Sequence, residues 1–139
     1  MFLHIKDVLT PEEITFFRQA LGPQAPWIEG ARSAGGQAIH QKNNLQLAQG
    51  SELSAQLQTM VKAALHRNAL FFSAALPRRI YNPLFNNYGD GANFYGNHVD
   101  SAVMHSKADN CWVRSDLSCT LFLTPPEDYD GGELVISEA

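Results

Sequence analysis

The chain has 139 residues, of which 45% are hydrophobic and 17% are charged, as in a globular protein of one domain. A net charge of −4, without a block of Lys or Arg, argues against nucleic-acid binding through a basic patch. No run of about 18 apolar residues and no signal-peptide pattern is present, so neither a membrane span nor secretion is predicted. Cys111 and Cys119 do not make a disulfide framework, and a cytoplasmic protein with free thiols is expected.

Two amphipathic helices are predicted in the first half of the chain. Thr10, Pro11 and Glu13 form the start signal of the first helix, with a capping residue, a first-turn proline and a capping-box glutamate. The second helix opens at Ser51 and continues to about Arg67, because apolar residues recur there at helical spacing. Its apolar stripe consists of Leu53, Leu57, Met60, Val61, Ala64 and Leu65.

The remaining apolar or alternating segments predict short strands. Pro83 places its segment at a sheet edge or a bulge, because proline cannot donate to a strand ladder. Residues 89–91 predict a tight turn, and residues 101–112 predict a polar loop. The predicted strands lie at residues 3–8, 27–29, 45–47, 71–76, 80–88, 93–100, 117–123 and 133–136.

This order of elements is typical of an α+β fold, in which early helices pack on an antiparallel sheet. We expect a helical region over about residues 1–70 and a β region over about residues 71–139. Because neither an internal repeat nor a linker interrupts the sequence, residues 1–139 are predicted to form a single domain.

The segment that ends in His98 and Asp100 carries the strongest functional signal. In an extended backbone, residues i and i+2 point to the same side, so this pair can offer an imidazole nitrogen and a carboxylate oxygen to one point. These groups are two of the three protein ligands in the facial triad of non-heme Fe(II) oxygenases. A His-x-Asp pair also arises by chance at a surface strand end, so the surrounding sequence must decide between the two interpretations.

Other titratable residues favour structural roles. His66 falls in the last turn of the second predicted helix, where it can hydrogen-bond a free carbonyl and interact favourably with the helix dipole. His105 follows in the predicted loop and is a poor substitute for a third metal ligand. We interpret Arg78, Arg79 and Arg114 as surface charges rather than as clamps for a cosubstrate.

Tyr88, Tyr95, His98 and Asp100 match the Tyr…Tyr-x-x-His-x-Asp pattern of prolyl-4-hydroxylase-type dioxygenases. Further runs resemble the bacterial PKHD-type hydroxylases and together extend over essentially the whole chain. These runs are KNNLQL at 42–47, SAALP at 73–77, PLFN at 83–86, GNHVD at 96–100 and YDGGEL at 129–134.

The resemblance implies a double-stranded β-helix, or jelly roll, for the β region. It implies an oxidoreductase of the dioxygenase type that uses Fe(II), O2, 2-oxoglutarate and L-ascorbate to hydroxylate a small molecule or a peptide, with a link to iron homeostasis. His98 and Asp100 are then metal ligands, Tyr88 donates its phenol to a carboxylate of 2-oxoglutarate, and Tyr95 packs beside the site.

The same resemblance places Asn43 and Asn44 near the active site, in a substrate contact or in a solvated loop. In the family, a second His ligand and a basic residue that binds 2-oxoglutarate come from strands later than residue 139. We therefore expect a truncated chain with an incomplete jelly roll, weak Fe(II) binding and little turnover. Unpaired strand edges in such a chain favour self-association.

Two alternatives to the hydroxylase interpretation stay open. One is a non-catalytic jelly-roll module that binds a ligand or partner through the same concavity. The other is a structural sheet protein in which the His98 and Asp100 pair is accidental.

Overall fold

The computed structural model describes residues 2–33, 42–89, 91, 93–106 and 109–137. Within these ranges the chain forms three α-helices and seven short strands, and every strand pair is antiparallel. The α+β class is therefore confirmed. The helices are α1 (Pro11–Ala20), α2 (Glu52–Arg67) and α3 (Ala69–Ala75). The strands are β1 (Trp27–Glu29), β2 (Lys42–Asn43), β3 (Leu45–Leu47), β4 (Asn86–Asn87), β5 (Phe94–Tyr95), β6 (Val103–Ser106) and β7 (Cys111–Arg114), and 3-10 turns lie at Gly30–Ser33 and Pro126–Asp128.

Helix α1 begins at the predicted capping box. The Glu13 amide donates to the Thr10 hydroxyl at 3.2 Å, and the Thr10 amide donates to the Glu13 carboxylate at 2.9 Å. Arg67, the last residue of α2, donates to the same carboxylate at 2.7 Å and to the carbonyl of Val8 at 3.3 Å. This contact joins the start of α1 to the end of α2, and the Arg67 guanidinium lowers the pKa of the Glu13 carboxyl.

Helix α2 has the predicted extent, and a second cap follows it directly. The hydroxyl of Ser51 accepts from the amide of Ser54 at 3.2 Å, and α2 continues to Arg67. The side chain of Asn68 then accepts from the amide of Phe71 at 2.9 Å and starts α3. The predicted strand at residues 71–76 is therefore wrong, because a short apolar run does not distinguish a strand from a capped helix.

The strands form three small antiparallel sheets. Strand β3 lies between β1 and β4, with Gln46 opposite both Ile28 and Asn86. Strand β2 pairs with β5 and places Lys42 opposite Tyr95. Strands β6 and β7 pair with each other over four residues each, although this part of the chain was predicted as a polar loop.

The core lies where α1 and α2 pack against β3. Phe17, Leu47 and Leu57 are fully buried, and the ring centroid of Phe17 lies 6.1 Å from that of Phe85. Other buried apolar residues of this cluster are Val8, Leu9, Ala25, Val61, Ala64 and Leu65.

Several predicted strands are shorter than expected or absent. Residues 3–8, 117–123 and 133–136 form no strand, and only β4 and β5 remain of the segments at 80–88 and 93–100. Leu121 and Leu123 still pack against the core while Phe122 is exposed, so the apolar alternation is kept without a ladder. A side-chain pattern fixes which face is buried, but a strand also needs a backbone partner. None of the helices in the described ranges is both long and apolar enough to cross a bilayer.

We predict that Phe17→Ala lowers the free energy of unfolding by about 3–5 kcal/mol, because it leaves a cavity in the core. Phe16 is the matched control, since it neighbours Phe17 but is 39% exposed. Phe16→Ala is expected to cost about 1 kcal/mol or less. Urea unfolding followed by circular dichroism measures both, and equal losses would contradict the described core.

The lowered pKa of Glu13 predicts a pH-dependent contribution to stability. Since the folded pKa lies below the unfolded one, this contribution is present at neutral pH and is lost as pH falls through the lowered folded pKa. Glu13→Gln should therefore make the free energy of unfolding depend less on pH in the acid range. Glu12→Gln should keep the pH dependence of the wild type. Superimposable profiles for the two variants would show that the contact between Glu13 and Arg67 does not contribute to the pH dependence of stability.

Candidate metal centre

His98 and Asp100 lie side by side immediately after β5. The His98 Nε2 is 3.3 Å from the Asp100 Oδ1, although the strand itself ends at Tyr95. The side chains are 29% and 56% exposed, and Val99 between them is 95% exposed. The structure thus brings the predicted pair together at the surface of the described part of the chain.

The hydrogen bonding of His98 leaves one ring nitrogen for a ligand. Its Nδ1 lies 2.8 Å from the Gly96 carbonyl, and because a carbonyl only accepts, Nδ1 must carry the proton. In the neutral ring, Nε2 then presents a lone pair toward the Asp100 carboxylate. Two acceptors that face each other at this distance need a cation or a proton between them.

The spacing fits a shared metal ion. Ligand distances of about 2.0–2.2 Å at right angles put neighbouring donor atoms roughly 3 Å apart. The 3.3 Å between Nε2 of His98 and Oδ1 of Asp100 is close to that value. A backbone carbonyl on the other ring nitrogen, here that of Gly96, is the usual partner that fixes a metal-binding tautomer.

Tyr95 fixes the orientation of the imidazole. Its ring stacks on His98 with centroids 3.8 Å apart and an interplanar angle of 16°. The Lys42 Nζ lies 5.1 Å from the Tyr95 ring centroid, so a cation flanks the aromatic ring. Burial, and secondarily the charge of Asp100, raises the pKa of the Tyr95 phenol, while burial lowers the pKa of Lys42.

Tyr88, the predicted 2-oxoglutarate residue, is half-exposed and lies beside Asn44. Partial burial raises the pKa of the Tyr88 phenol, the Asn44 side chain offsets part of that rise, and Tyr95 adds to it. A tyrosine phenol is protonated at neutral pH without any shift, so Tyr88 can donate a hydrogen bond. Asn43 is exposed and donates to the carbonyl of Gly91 at 2.7 Å, whereas Asn44 is buried.

A buried network of side-chain amides lies beside Tyr88 and was not predicted from the sequence. The Asn44 Nδ2 and the Gln46 Nε2 each donate to the Asn86 Oδ1 at 3.1 Å. Asn44 and Gln46 are 3% and 0% exposed, and their side-chain oxygens lack a partner among the described residues. A buried acceptor without a partner costs about 1–3 kcal/mol, so a water or ligand donor is favoured there. In the sequence, the neighbouring amide residues at 43–44 and 86–87 are the signal that could have indicated this network.

Other sequence candidates lie in structural contacts. His66 donates from Nδ1 to the Lys62 carbonyl at 2.7 Å, so it bonds within its own helix as predicted, although the acceptor is not one of the free carbonyls at the helix end. The His105 ring packs against Trp112 with centroids 5.0 Å apart, and Arg114 pairs with Asp116 at 2.9 Å.

Across the ranges described, three or more His, Cys, Asp or Glu side chains nowhere converge as a metal site. His98 and Asp100 thus stand as a pair there. His40 and the middle of the predicted 89–91 turn, Asp90, lie outside the described residues.

Comparison with known proteins identifies relatives of the whole chain. No family model matches it. It is 52% identical over 138 residues to a PKHD-type hydroxylase of Variovorax paradoxus (strain S110) and 48% identical to one of Aliarcobacter butzleri (strain RM4018). It is also 49% identical to the PKHD-type hydroxylase YbiX of Escherichia coli (strain 55989 / EAEC). Each alignment includes 99% of this chain and 60% of the relative, so the chain spans about three-fifths of their length.

The chain is therefore similar to bacterial proteins of the hydroxylase class. More particularly, the resemblance to the PKHD-type hydroxylases that the sequence motifs predicted is confirmed over 138 residues.

We predict that Gly30→Ala disturbs the packing around Asn44, which lies beside Tyr88 of the candidate metal centre. A Cβ at Gly30 would lie 1.8 Å from the Asn44 Oδ1 and 2.9 Å from the Asn44 carbonyl oxygen. The clash with backbone should cost about 1–3 kcal/mol of folding free energy. At Gly50 a Cβ meets nothing within 4 Å, so Gly50→Ala should stay within about 0.5 kcal/mol of wild type. Thermal unfolding of the two variants tests this, and an unperturbed Gly30→Ala would refute the close packing.

Proposed function

We propose that the chain forms part of an Fe(II)- and 2-oxoglutarate-dependent dioxygenase that hydroxylates a C–H bond. The observation that carries the proposal is the 3.3 Å contact between His98 Nε2 and Asp100 Oδ1, with Nδ1 engaged by the Gly96 carbonyl. It is supported by about 50% identity to proteins named PKHD-type hydroxylase.

In this proposal, the residues of the chain hold and orient the reacting groups. His98 and Asp100 are two ligands of a 2-His-1-carboxylate triad, and the carboxylate partly neutralises the cation. When bound, Fe(II) supplies oxidative chemistry with O2 and 2-oxoglutarate. Tyr95 holds the imidazole plane by stacking and shields one side of the pair from water. Rigid placement matters because ligands must keep adjacent positions while others stay open for exchange.

Tyr88 is proposed to position 2-oxoglutarate. A tyrosine phenol carries its proton at neutral pH, and burial raises the pKa of Tyr88 further, so it can donate to a carboxylate oxygen. The buried side chain of Asn44 lies within hydrogen-bonding reach of this phenol. The unpaired Asn44 Oδ1 offers an acceptor to a neighbouring hydroxyl or water.

The resemblance extends the proposal beyond the described residues. The sheets are proposed to belong to a jelly roll, and the second His ligand and the 2-oxoglutarate-binding basic residue to the two-fifths of the relatives that this chain does not span. The proposal also includes a cytoplasmic location, L-ascorbate as reductant and a small-molecule or peptide substrate. It further includes a link to iron homeostasis and self-association through open strand edges.

A non-catalytic binding module is the second candidate. It is favoured by the convergence of two, rather than three, metal ligands among the described residues. In that case, the surface that carries Tyr88 and Tyr95 binds a partner or ligand, and His98 forms an ion pair with Asp100.

Metal titration tests the proposed ligands directly. Mn(II) is a redox-stable probe for an N,O site, and loss of its free-ion electron paramagnetic resonance signal reports binding. His98→Ala and Asp100→Ala should each weaken Mn(II) binding by at least about tenfold, because one of two protein ligands is lost.

His105→Ala is the matched control, since that imidazole packs on Trp112 instead. It should leave the Mn(II) affinity within about twofold of wild type. Equal affinity in all four proteins would exclude a metal site at His98 and favour the binding module. Binding that depends on His98 and Asp100, but is insensitive to added 2-oxoglutarate, would support the metal site and oppose the role of Tyr88.

A further inference from the structure

An open cleft lies beside the face of α2 that carries Lys62 and His66. It has a volume of about 470 Å³ and lies between α2, the segment before β4 and the hairpin of β6 and β7. That volume is in the range of small-molecule sites. None of His98, Asp100, Tyr88 and Tyr95 lines it. The lining residues are Lys62, His66, Arg79, Ile80, Tyr81, Ser106, Asp109, Cys111 and Val113.

Two cations face this cleft without a carboxylate partner among the described residues. The Lys62 Nζ donates to the Asn82 Oδ1, which leaves two of its three N–H groups for other acceptors. The Arg79 Nη1 donates to the Cys111 Sγ at 2.8 Å, which leaves the remaining guanidinium donors. Neutral partners fix both side chains but do not compensate their charges.

The other polar groups add to this asymmetry. The one lining carboxylate, Asp109, accepts from the Ser106 hydroxyl at 2.8 Å. His66 donates through Nδ1 to the Lys62 carbonyl, so its Nε2 is left for a ligand. The two cations therefore outnumber the single anion. Ile80 and Val113 supply an apolar wall beside these charges.

We propose that this cleft binds a small organic molecule that carries a carboxylate or phosphate group. The oxyanion would accept from Lys62 and Arg79, and its apolar part would lie against Ile80 and Val113. Carboxylate and phosphate share this recognition, because each presents negative oxygens to a planar guanidinium and an ammonium. The site is separate from the proposed metal centre and does not depend on it.

Benzoate and phenyl phosphate test the proposal, since they share a ring and differ in the charged group. Each is titrated into the 139-residue chain labelled with ¹⁵N, with potassium chloride at matched ionic strength as the reference. We expect at least one to give saturable shifts of the Arg79 and Cys111 amides that chloride does not give. The ligand that binds more tightly identifies the preferred oxyanion.

Arg79→Gln should weaken that binding by about tenfold, because a charge-assisted hydrogen bond is lost. Arg78→Gln is the matched control, since Arg78 is adjacent and exposed but does not line the cleft, and should change it by less than about twofold. Lys62→Gln gives an independent measure, with a similar loss expected. Shifts no larger than those with chloride, or equal affinity in wild type and both cleft variants, would overturn the proposal.

Discussion

The antiparallel pairing of β2 with β5 is the constraint on which the candidate metal centre depends. It sets Lys42 opposite Tyr95 and Asn43 opposite Phe94, across more than fifty residues of sequence. Tyr95 is thereby held where it can stack on His98. The amide of Asn43 reaches further and donates to the Gly91 carbonyl just before β5. An otherwise exposed ligand segment is therefore supported from one side by a strand that leads into the core.

Strand β3 connects this centre to the rest of the fold. Leu47 is buried in the core beneath α1 and α2, while Gln46 is buried in the amide network with Asn86. Asn44, directly before β3, joins the same network and lies beside Tyr88. A polar network of this kind is rigid where its bonds are made and costly where an oxygen is left unpaired.

Helix α2 serves two surfaces with different chemistry. Leu57 and Val61 bury its apolar face in the core, and Lys62 and His66 line the open cleft beside this helix. The helical period separates these faces, so a charge change in the cleft need not disturb packing. The candidate metal centre and the cleft consist of different residues, and the ligands proposed for them have opposite charge. The first suits a cation between a carboxylate and an imidazole, and the second suits an anion.

The local features of this protein follow from the sequence. Capping at Thr10 and Ser51, and the same-side placement of His98 and Asp100, depend on residues within a few positions of each other. Other features required the tertiary structure. The segment at 117–123 has a strand's alternation but forms no ladder, and the supposed strand at 71–76 is α3 because Asn68 caps it.

The same division holds within the candidate site. His98, Asp100, Tyr88 and Tyr95 were identified from the motif, whereas Lys42 above Tyr95 and the Gln46–Asn86 amide contact were not. The sequence by itself determined the starts of α1 and α2, the apolar faces of the helices and the proximity of His98 to Asp100. Only the tertiary structure decided which strands pair and what surrounds the imidazole, because backbone pairing between distant segments leaves no periodic trace in either segment alone.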